Sequence, residues 1–257
     1  MIDKSASWVA DAAGGRLVAG DPDAPGPRRA VIDSRSVGEG DLFFGLRGTV
    51  ADGGTFAEAA LAAGAWGVVV GPDHVERASA TFAGAIPANA ALIAADDPLA
   101  ALQSLARAWR RALACPAIGV TGSTGKTSTK DILAALLRPH RRTHANSENF
   151  NTEIGLPLSL LEAEAGTEAL VLEMAMRGEG QIAELAAIGE PDVGVIVNVG
   201  PVHLELLGTI ERVAAAKAEL IRDLPAGATC VVPQGEELLA EHLRDDLDTV
   251  TFGEGGD

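Results

Sequence analysis

One stretch constrains this chain more than any other: Ile118-Gly119-Val120-Thr121-Gly122-Ser123-Thr124-Gly125-Lys126-Thr127-Ser128. A short apolar run ends in a glycine-bracketed loop. A Lys-Thr pair then opens a helical pattern that puts Ile132, Leu133, Leu136 and Leu137 on one face. Strand, loop and helix in this order form a phosphate-binding loop. Glycines let backbone N–H groups converge on phosphate oxygens, and the helix N-terminus adds partial positive charge. Lys126 can reach the β- and γ-phosphates, and the Thr127 hydroxyl can ligate Mg²⁺. The usual pattern has a glycine where this chain has Val120; its loop glycine is Gly122. The bland alternative is a glycine-rich turn with a chance Gly-Lys-Thr. Against it, strand and helix fall where the phosphate-binding mechanism needs them.

The rest of the chain alternates short apolar runs with helical patterns, the mark of an α/β fold. A helix capped by Ser5 or Ser7 carries Trp8, Val9 and Ala12 on its apolar face and ends at Gly14-Gly15. Ala30–Asp33, Leu42–Leu46, Val68–Val70 and Ala91–Ala94 read as strands, and Thr55 caps a helix that Gly64 stops. These elements make a small α/β domain over residues 1–97. Asp97-Pro98 opens a helix with Leu99, Leu102, Leu105, Ala106, Trp109 and Leu113 at helical spacing, and the second domain is assigned from residue 98 to 257. There, strands at Leu170–Glu173, Val193–Asn198, Thr229–Val232 and Val250–Gly253 alternate with helices near 181–188 and 210–223. Continuous apolar strands of this kind belong to a mainly parallel sheet covered on both faces. Repeated strand–helix units around a phosphate loop make this domain P-loop NTPase-like. No helix follows the last strand, so the domain is expected to be incomplete.

With 257 residues the chain can bury two cores. No apolar run reaches the roughly 18 residues of a membrane span, and Met1-Ile2-Asp3-Lys4-Ser5 does not begin a secretory signal. Cys115 and Cys230 lie far apart at strand edges and are expected as buried free thiols in a reducing cytoplasm. The net charge of −16 argues against broad binding to nucleic acid or anionic membranes. Anionic ligands must then be met by local cations such as those of the phosphate loop.

Ligands of such sheets lie beyond the carboxyl ends of the strands. Glu173 closes a strand there; it is either a Mg²⁺ ligand or an ordinary strand-end acid. His203 follows Asn198 through a short loop, where a lone histidine is more often structural than metal-binding. Lys217 falls on the apolar stripe of its helix with Ile210, Val213, Leu220 and Ile221. Periodicity alone favours a snorkelling lysine over one that changes its charge. Asn146–Pro157 carries too many amides and hydroxyls for a core element; it is a surface loop or, from its position after the phosphate-loop helix, a substrate loop.

These residues resemble those of the Mur ligases, the family that builds the peptide stem of bacterial peptidoglycan. Thr121–Ser128 is similar to that family's phosphate loop, which also lacks the earlier glycine. Asp33-Ser34-Arg35, Gly40-Asp41-Leu42-Phe43-Phe44 and Gly48 resemble its N-terminal UDP-sugar-binding domain. Asn149-Phe150-Asn151, Glu153-Ile154-Gly155, Pro157, Glu173–Gly178, Gly180–Ile182 and Asn198–Glu205 look most like the branch that adds D-alanyl-D-alanine. One motif departs. The family usually has Asp-Gly-His before an aromatic residue, whereas here Asp52-Gly53-Gly54-Thr55-Phe56 stands, so a polar contact near the nucleotide-sugar is missing or supplied elsewhere.

The resemblance implies an ATP-dependent amide ligase of peptidoglycan precursor synthesis. ATP phosphorylates the terminal carboxylate of UDP-N-acetylmuramoyl-tripeptide, the amine of D-alanyl-D-alanine attacks the acyl phosphate, and phosphate leaves. The protein positions the reactants and stabilises charge. By the same resemblance, Gly122, Ser123, Thr124, Gly125, Lys126, Thr127 and Ser128 hold ATP, with Lys126 on the γ-phosphate. Thr127 and Glu173 hold one Mg²⁺, and His203 helps hold a second. Lys217 matches a lysine that several members carbamylate, and it serves catalysis with Lys126 and His203. Ser34, Arg35, Phe43, Asn149, Asn151 and Arg177 face substrate. A cytoplasmic monomer without nucleic-acid or membrane partners is implied. Full-length members continue further, through the rest of the central domain and a C-terminal domain, so little turnover is expected of this chain alone. Two other readings stand beside this one: the branch that adds the third amino acid, and a non-catalytic nucleotide- or UDP-sugar-binding fragment.

Overall fold

The computed structural model describes residues 3–82, 90–147 and 149–255. The chain divides into two compact units, residues 1–109 with 160–165, and residues 110–159 with 166–257. The helix opened by Asp97-Pro98 is present, and the units part near its end, at Trp109/Arg110, rather than at its start.

The first unit contains α1 (Ala6–Ala12), β1 (Arg16–Ala19), β2 (Arg29–Val31), β3 (Asp41–Phe44), α2 (Ala57–Ala62), β4 (Gly67–Val70), α3 (Pro72–Phe82), β5 (Ala91–Ala94) and most of α4 (Pro98–Leu113). Its sheet runs β1-β5-β4-β3-β2. Strands β2 to β5 are parallel, and β1 joins β5 antiparallel with an irregularity between Leu17 and Ala19. Ser5 caps α1 by accepting from the Trp8 N–H. Thr55 does not cap the next helix. No side chain caps α2; the Asp52 carboxylate instead caps the 3₁₀ turn before it, Gly53–Phe56, by accepting from the Gly54 N–H. Asp forms this turn more strongly because its carboxylate reaches a backbone N–H two residues on. The core is built from Phe43, Leu61, Val68, Val70 and Leu92. Buried Asp41 accepts from the Arg29 guanidinium at 3.0 and 2.9 Å and from the Gly38 N–H at 2.8 Å. Burial would raise its pKa, but those bonds bring it below the usual carboxylate value.

The second unit contains β6 (Ala117–Thr121), α5 (Lys126–Leu137), β7 (Thr143–Ala145), α6 (Gly155–Glu162, whose last residues belong to the first unit), β8 (Ala169–Glu173), α7 (Gln181–Gly189), β9 (Val193–Ile196), α8 (Leu204–Leu207), α9 (Ile210–Asp223), β10 (Thr229–Pro233), α10 (Glu237–Ala240) and β11 (Asp248–Phe252). Its six strands run β11-β10-β9-β6-β8-β7, all parallel. β8 is buried at every residue, as a strand covered on both faces must be. The order reverses at β6, which pairs Val120 with Glu173 on one side and Thr121 with Ile196 on the other. The phosphate loop, Glu173 and the segment after β9 therefore leave the sheet side by side, at the switch point where ligands bind in sheets of this kind.

The expected face of α5 is corrected, and the expected span of α9 is found. On α5, Ile132 and Leu136 are 59% and 65% exposed. The inward stripe is Lys130, Leu133, Ala134 and Leu137, spaced i, i+3, i+4, i+7. The buried Lys130 ammonium donates to the Asn146 carbonyl at 2.7 Å and pairs with Asp131 at 3.0 Å. α9 runs from Ile210 to Asp223, capped by the Thr209 hydroxyl. Cys115 and Cys230 are buried free thiols; burial pushes the Cys230 thiol up to about 11. Among the described residues, no helix is long and apolar enough to cross a membrane.

Candidate active site

The loop between β6 and α5 is shaped by two glycines and one asparagine. Gly125 caps α5 with φ 76°, a left-handed conformation that favours glycine. Asn198, just past β9, holds the loop from the side. Its Oδ1 accepts from the Ser123 and Thr124 N–H groups at 3.0 Å each, and its Nδ2 donates to the Thr124 carbonyl and hydroxyl oxygens at 3.1 Å each. The Ser123 hydroxyl donates to the Gly200 carbonyl at 3.0 Å and accepts from the Gly200 N–H at 2.8 Å. Lys126 folds back, its ammonium donating to the Gly122 carbonyl at 3.0 Å. Helix geometry leaves the first N–H groups of α5 without intrahelical partners. These groups, with the helix dipole, could receive an anion at a position that Lys126 and Thr127 border.

Glu173 is only 4% exposed, and two asparagines of the polar stretch hold it. Asn146 Oδ1 accepts from the Glu173 N–H at 2.8 Å, and Asn146 Nδ2 donates to the Glu173 carbonyl at 3.0 Å and the Phe150 carbonyl at 2.8 Å. Asn151 Nδ2 donates to Glu173 Oε1 at 2.8 Å. The stretch is therefore not simply a surface loop. Asn146 is buried inside the unit, where its paired bonds satisfy it. Asn149 is exposed and left-handed (φ 70°), and Glu148 lies outside the described residues.

A cavity of about 330 Å³ opens beside the loop, lined by Lys126, Asn151, Glu153, Arg177, Gln181 and His203 among others. Exposed Arg177 sits in a turn that Gln181 organises, its Oε1 accepting from the Arg177 and Gly178 N–H groups at 2.6 and 3.2 Å. Buried Glu219 of α9 fixes the start of α7, accepting from the Gly180 and Ala183 N–H groups at 2.6 and 3.0 Å. His203 adopts φ 55° at the start of α8. Lys217 does not snorkel. It is 2% exposed, and burial first, then the charge of Lys126, lower its pKa to about 8.

The second unit thus brings Lys126, Asn151, Arg177 and His203 to one cavity, with Glu173 joined to it through Asn151 and Lys217 beside Lys126. Among the described residues, no three His, Cys, Asp or Glu side chains gather as a metal cage. A hydroxyl at Thr127 and one carboxylate at Glu173, next to an anion site, suit Mg²⁺, which takes few protein ligands and shares substrate phosphates.

In the first unit, Ser34 and Arg35 form a turn after β2, with Arg35 bound to the Asp33 carboxylate at 2.9 and 2.8 Å. That guanidinium brings the Asp33 carboxyl down to about 2. Phe43 is corrected: its side chain is fully buried in the core and presents no surface to a ligand. The departure at Gly54 has a structural counterpart. The His74 ring from α3 fills the space over Gly54, where a Cβ would stand 2.2 Å from the ring, and its Nε2 lies 3.0 Å from Asp52 Oδ2. Sequence reasoning singled out the stretches that hold Asn146, Gln181 and Asn198 without assigning these three residues a role, and it missed Glu219. Only their positions beyond strand ends or on the inner face of α9 could have marked them.

Residues 120–257 match the Mur ligase middle domain, and residues 30–110 match the Mur ligase family, catalytic domain. The UDP-N-acetylmuramoyl-tripeptide--D-alanyl-D-alanine ligase of Synechocystis sp. is 42% identical over 228 residues, covering 88% of this chain and 48% of that protein. Its counterpart in Bacillus subtilis is 36% identical over 255 residues, covering 99% and 53%. Among solved structures, MurF of Thermotoga maritima in complex with ADP superposes with a TM-score of 0.76 at 38% identity, covering 90% of this chain and 51% of that one. A MurF structure from Acinetobacter baumannii gives 0.84 at 29% identity, covering 98% and 53%. The chain spans about half the length of the curated relatives it matches. With the middle-domain match covering more than half of its residues, around a phosphate loop at the sheet's switch point, the chain belongs to the Mur ligase family.

Proposed function

We propose that this chain supplies the UDP-sugar-binding and ATP-binding parts of a ligase that adds D-alanyl-D-alanine to UDP-N-acetylmuramoyl-tripeptide. The observation that carries the reading is the convergence of Lys126, Asn151, Arg177 and His203 on one cavity next to the Asn151-held Glu173. Lys126 and the N–H groups at the start of α5 take the phosphates of ATP. Mg²⁺ would be held by Thr127 and Glu173, with His203 at a second ion, and would neutralise phosphate charge. Asn151 keeps the Glu173 carboxylate turned to the site. Arg177 and Asn149 lie on the side of the acceptor carboxylate, which ATP converts to an acyl phosphate for attack by the incoming amine. Ser34 and Arg35 serve the UDP-sugar in the first unit. The reading matches the activity for which the Synechocystis and Bacillus relatives are named.

Calorimetry on this chain tests it. The chain is expected to bind Mg·ATP, and to bind UDP-N-acetylmuramoyl-tripeptide more tightly than the corresponding dipeptide. Lys126→Ala removes a charge-assisted phosphate contact and should weaken Mg·ATP by at least about tenfold. Unchanged nucleotide affinity in Lys126→Ala overturns the phosphate-loop assignment. A preference for the dipeptide substrate moves the chain to the branch that adds the third amino acid.

A further inference from the structure

The Asn198 side chain spends its whole hydrogen-bonding capacity on the phosphate loop. A carboxamide offers two donor hydrogens and two acceptor lone pairs, and all four are engaged by Ser123 and Thr124. The Asn198 backbone carbonyl also accepts from the Ser123 N–H at 3.1 Å. Gly200, on the same segment, closes the reciprocal pair with the Ser123 hydroxyl. Converging N–H dipoles repel one another, so a glycine-rich loop needs an acceptor at its centre to stay folded. At Ser123 and Thr124 that acceptor is the Asn198 Oδ1 rather than a phosphate oxygen. The N–H groups left for an anion then begin at Gly125, the cap of α5.

We propose that Asn198 is a positioning residue that pre-shapes the phosphate loop and confines phosphate recognition to the amides from Gly125 onward and to Lys126. It also fastens the loop to the segment that carries His203, so the nucleotide and metal sides of the cavity share one strut. At rest Lys126 is bonded to Gly122, inside the frame Asn198 holds, and a nucleotide has only to draw off this one side chain. The proposal rests on the nucleotide reading of the loop.

The test uses this chain with Asn198→Ala and Asn198→Asp, read by calorimetry with Mg·ADP and by NMR-detected amide exchange without ligand. Asn198→Ala is expected to speed exchange most at Thr124 and less at Ser123, whose N–H the Asn198 backbone carbonyl still accepts, to leave β6 and β8 unchanged, and to weaken Mg·ADP by at least about tenfold. Asn198→Asp keeps the oxygen that accepts from both N–H groups, and the Thr124 hydroxyl can turn to donate, while the donor to the Thr124 carbonyl is lost. Protection at Ser123 and Thr124 should persist while the added negative charge weakens Mg·ADP. That separation of loop order from affinity is not expected of a residue that only stabilises the fold. Unchanged exchange at both amides in Asn198→Ala overturns the proposal, whatever happens to affinity. Wild-type affinity for Mg·ADP in a variant with loosened amides overturns it as well. If the wild-type chain binds no Mg·ADP, the nucleotide reading fails, while the exchange data still decide whether Asn198 shapes the loop.

Discussion

The Lys217 ammonium on α9 is buried close enough to Lys126 for the two positive charges to oppose each other. Burial and Lys126 bring the Lys217 pKa down to about 8, and no carboxylate is among the groups that shift it. A cation so placed behind the phosphate-loop lysine is unfavourable until an anion arrives or the lysine changes its charge.

The first prediction concerns stability against pH. Unfolded lysine titrates near 10.4, whereas folded Lys217 titrates near 8. Between those values the unfolded chain binds more protons, so stability rises with pH across that window. Below about 8 the full cost of burying the charge remains, on the order of 3 kcal/mol. Lys217→Met should therefore raise the urea midpoint at pH 7, and its lead over the wild type should shrink toward pH 10. A difference between the two midpoints that stays constant from pH 7.5 to 10 would contradict the assignment; the raised Cys230 thiol, which lowers stability as pH rises above 9, is common to both proteins and cancels in that difference.

The same low pKa leaves a useful fraction of neutral amine near pH 8, and that amine can add CO₂. The ammonium first gives up one proton. The neutral amine then forms an N–C bond as one C=O π pair of CO₂ moves onto oxygen, and a second proton leaves the nitrogen, so that the cation has become a carbamate anion. Repulsion from Lys126 then turns to attraction. In ¹³C-bicarbonate buffer the chain is expected to give a carbamate carbon resonance that grows from pH 7 to 8.5 and is missing from Lys217→Met. Wild-type and variant spectra without a difference would mean that Lys217 remains an amine.

Glu219 should matter to the acceptor side of the cavity and not to the nucleotide side. Its buried carboxylate receives two N–H groups at the start of α7, next to the turn that carries Arg177 and Gln181. Glu219→Ala leaves both N–H groups unpaired, at a cost of about 1–3 kcal/mol each, and Glu219→Gln, with one acceptor kept, should cost less. Calorimetry is expected to show weaker binding of the UDP-muramoyl peptide and unchanged Mg·ADP affinity in both variants. Equal losses for the two ligands would show a general defect instead.

Much of this arrangement was legible in the residue pattern. The phosphate loop, its strand and its helix carry a local signal, because each piece needs a particular residue at a particular step. α9 was readable from its apolar stripe, and the structure places it over the expected span, Ile210–Asp223. β1 and β7 were not, since four residues at a bulged edge and three after a charged turn leave no periodicity to detect. α5 misled because an apolar residue at helical spacing says nothing about which side meets the sheet. Asn146 and Asn198 fell inside stretches the sequence singled out, but their roles, like that of Glu219, were hidden because they depend on partners from 27 to 75 residues away. Lys217 looked like a snorkelling lysine because its stripe gives no measure of depth.

Gly54 offers a test of the first unit by itself. Its missing side chain leaves room for the His74 ring: a Cβ at this position would fall 2.2 Å from Cδ2 and 2.7 Å from Cγ. His74 in turn binds Asp52, whose carboxylate also caps the turn through the Gly54 N–H. Gly54→Ala must push the ring away, which breaks the Asp52 contact and should cost about 1–3 kcal/mol. His74→Ala loses the contact but creates no clash, so about 1 kcal/mol is expected. In the double variant the clash has no ring to meet, and stability should return to that of His74→Ala. Denaturant unfolding of the four proteins closes the cycle. Additive losses would mean that the two residues act independently and that something other than the imidazole requires glycine at this position.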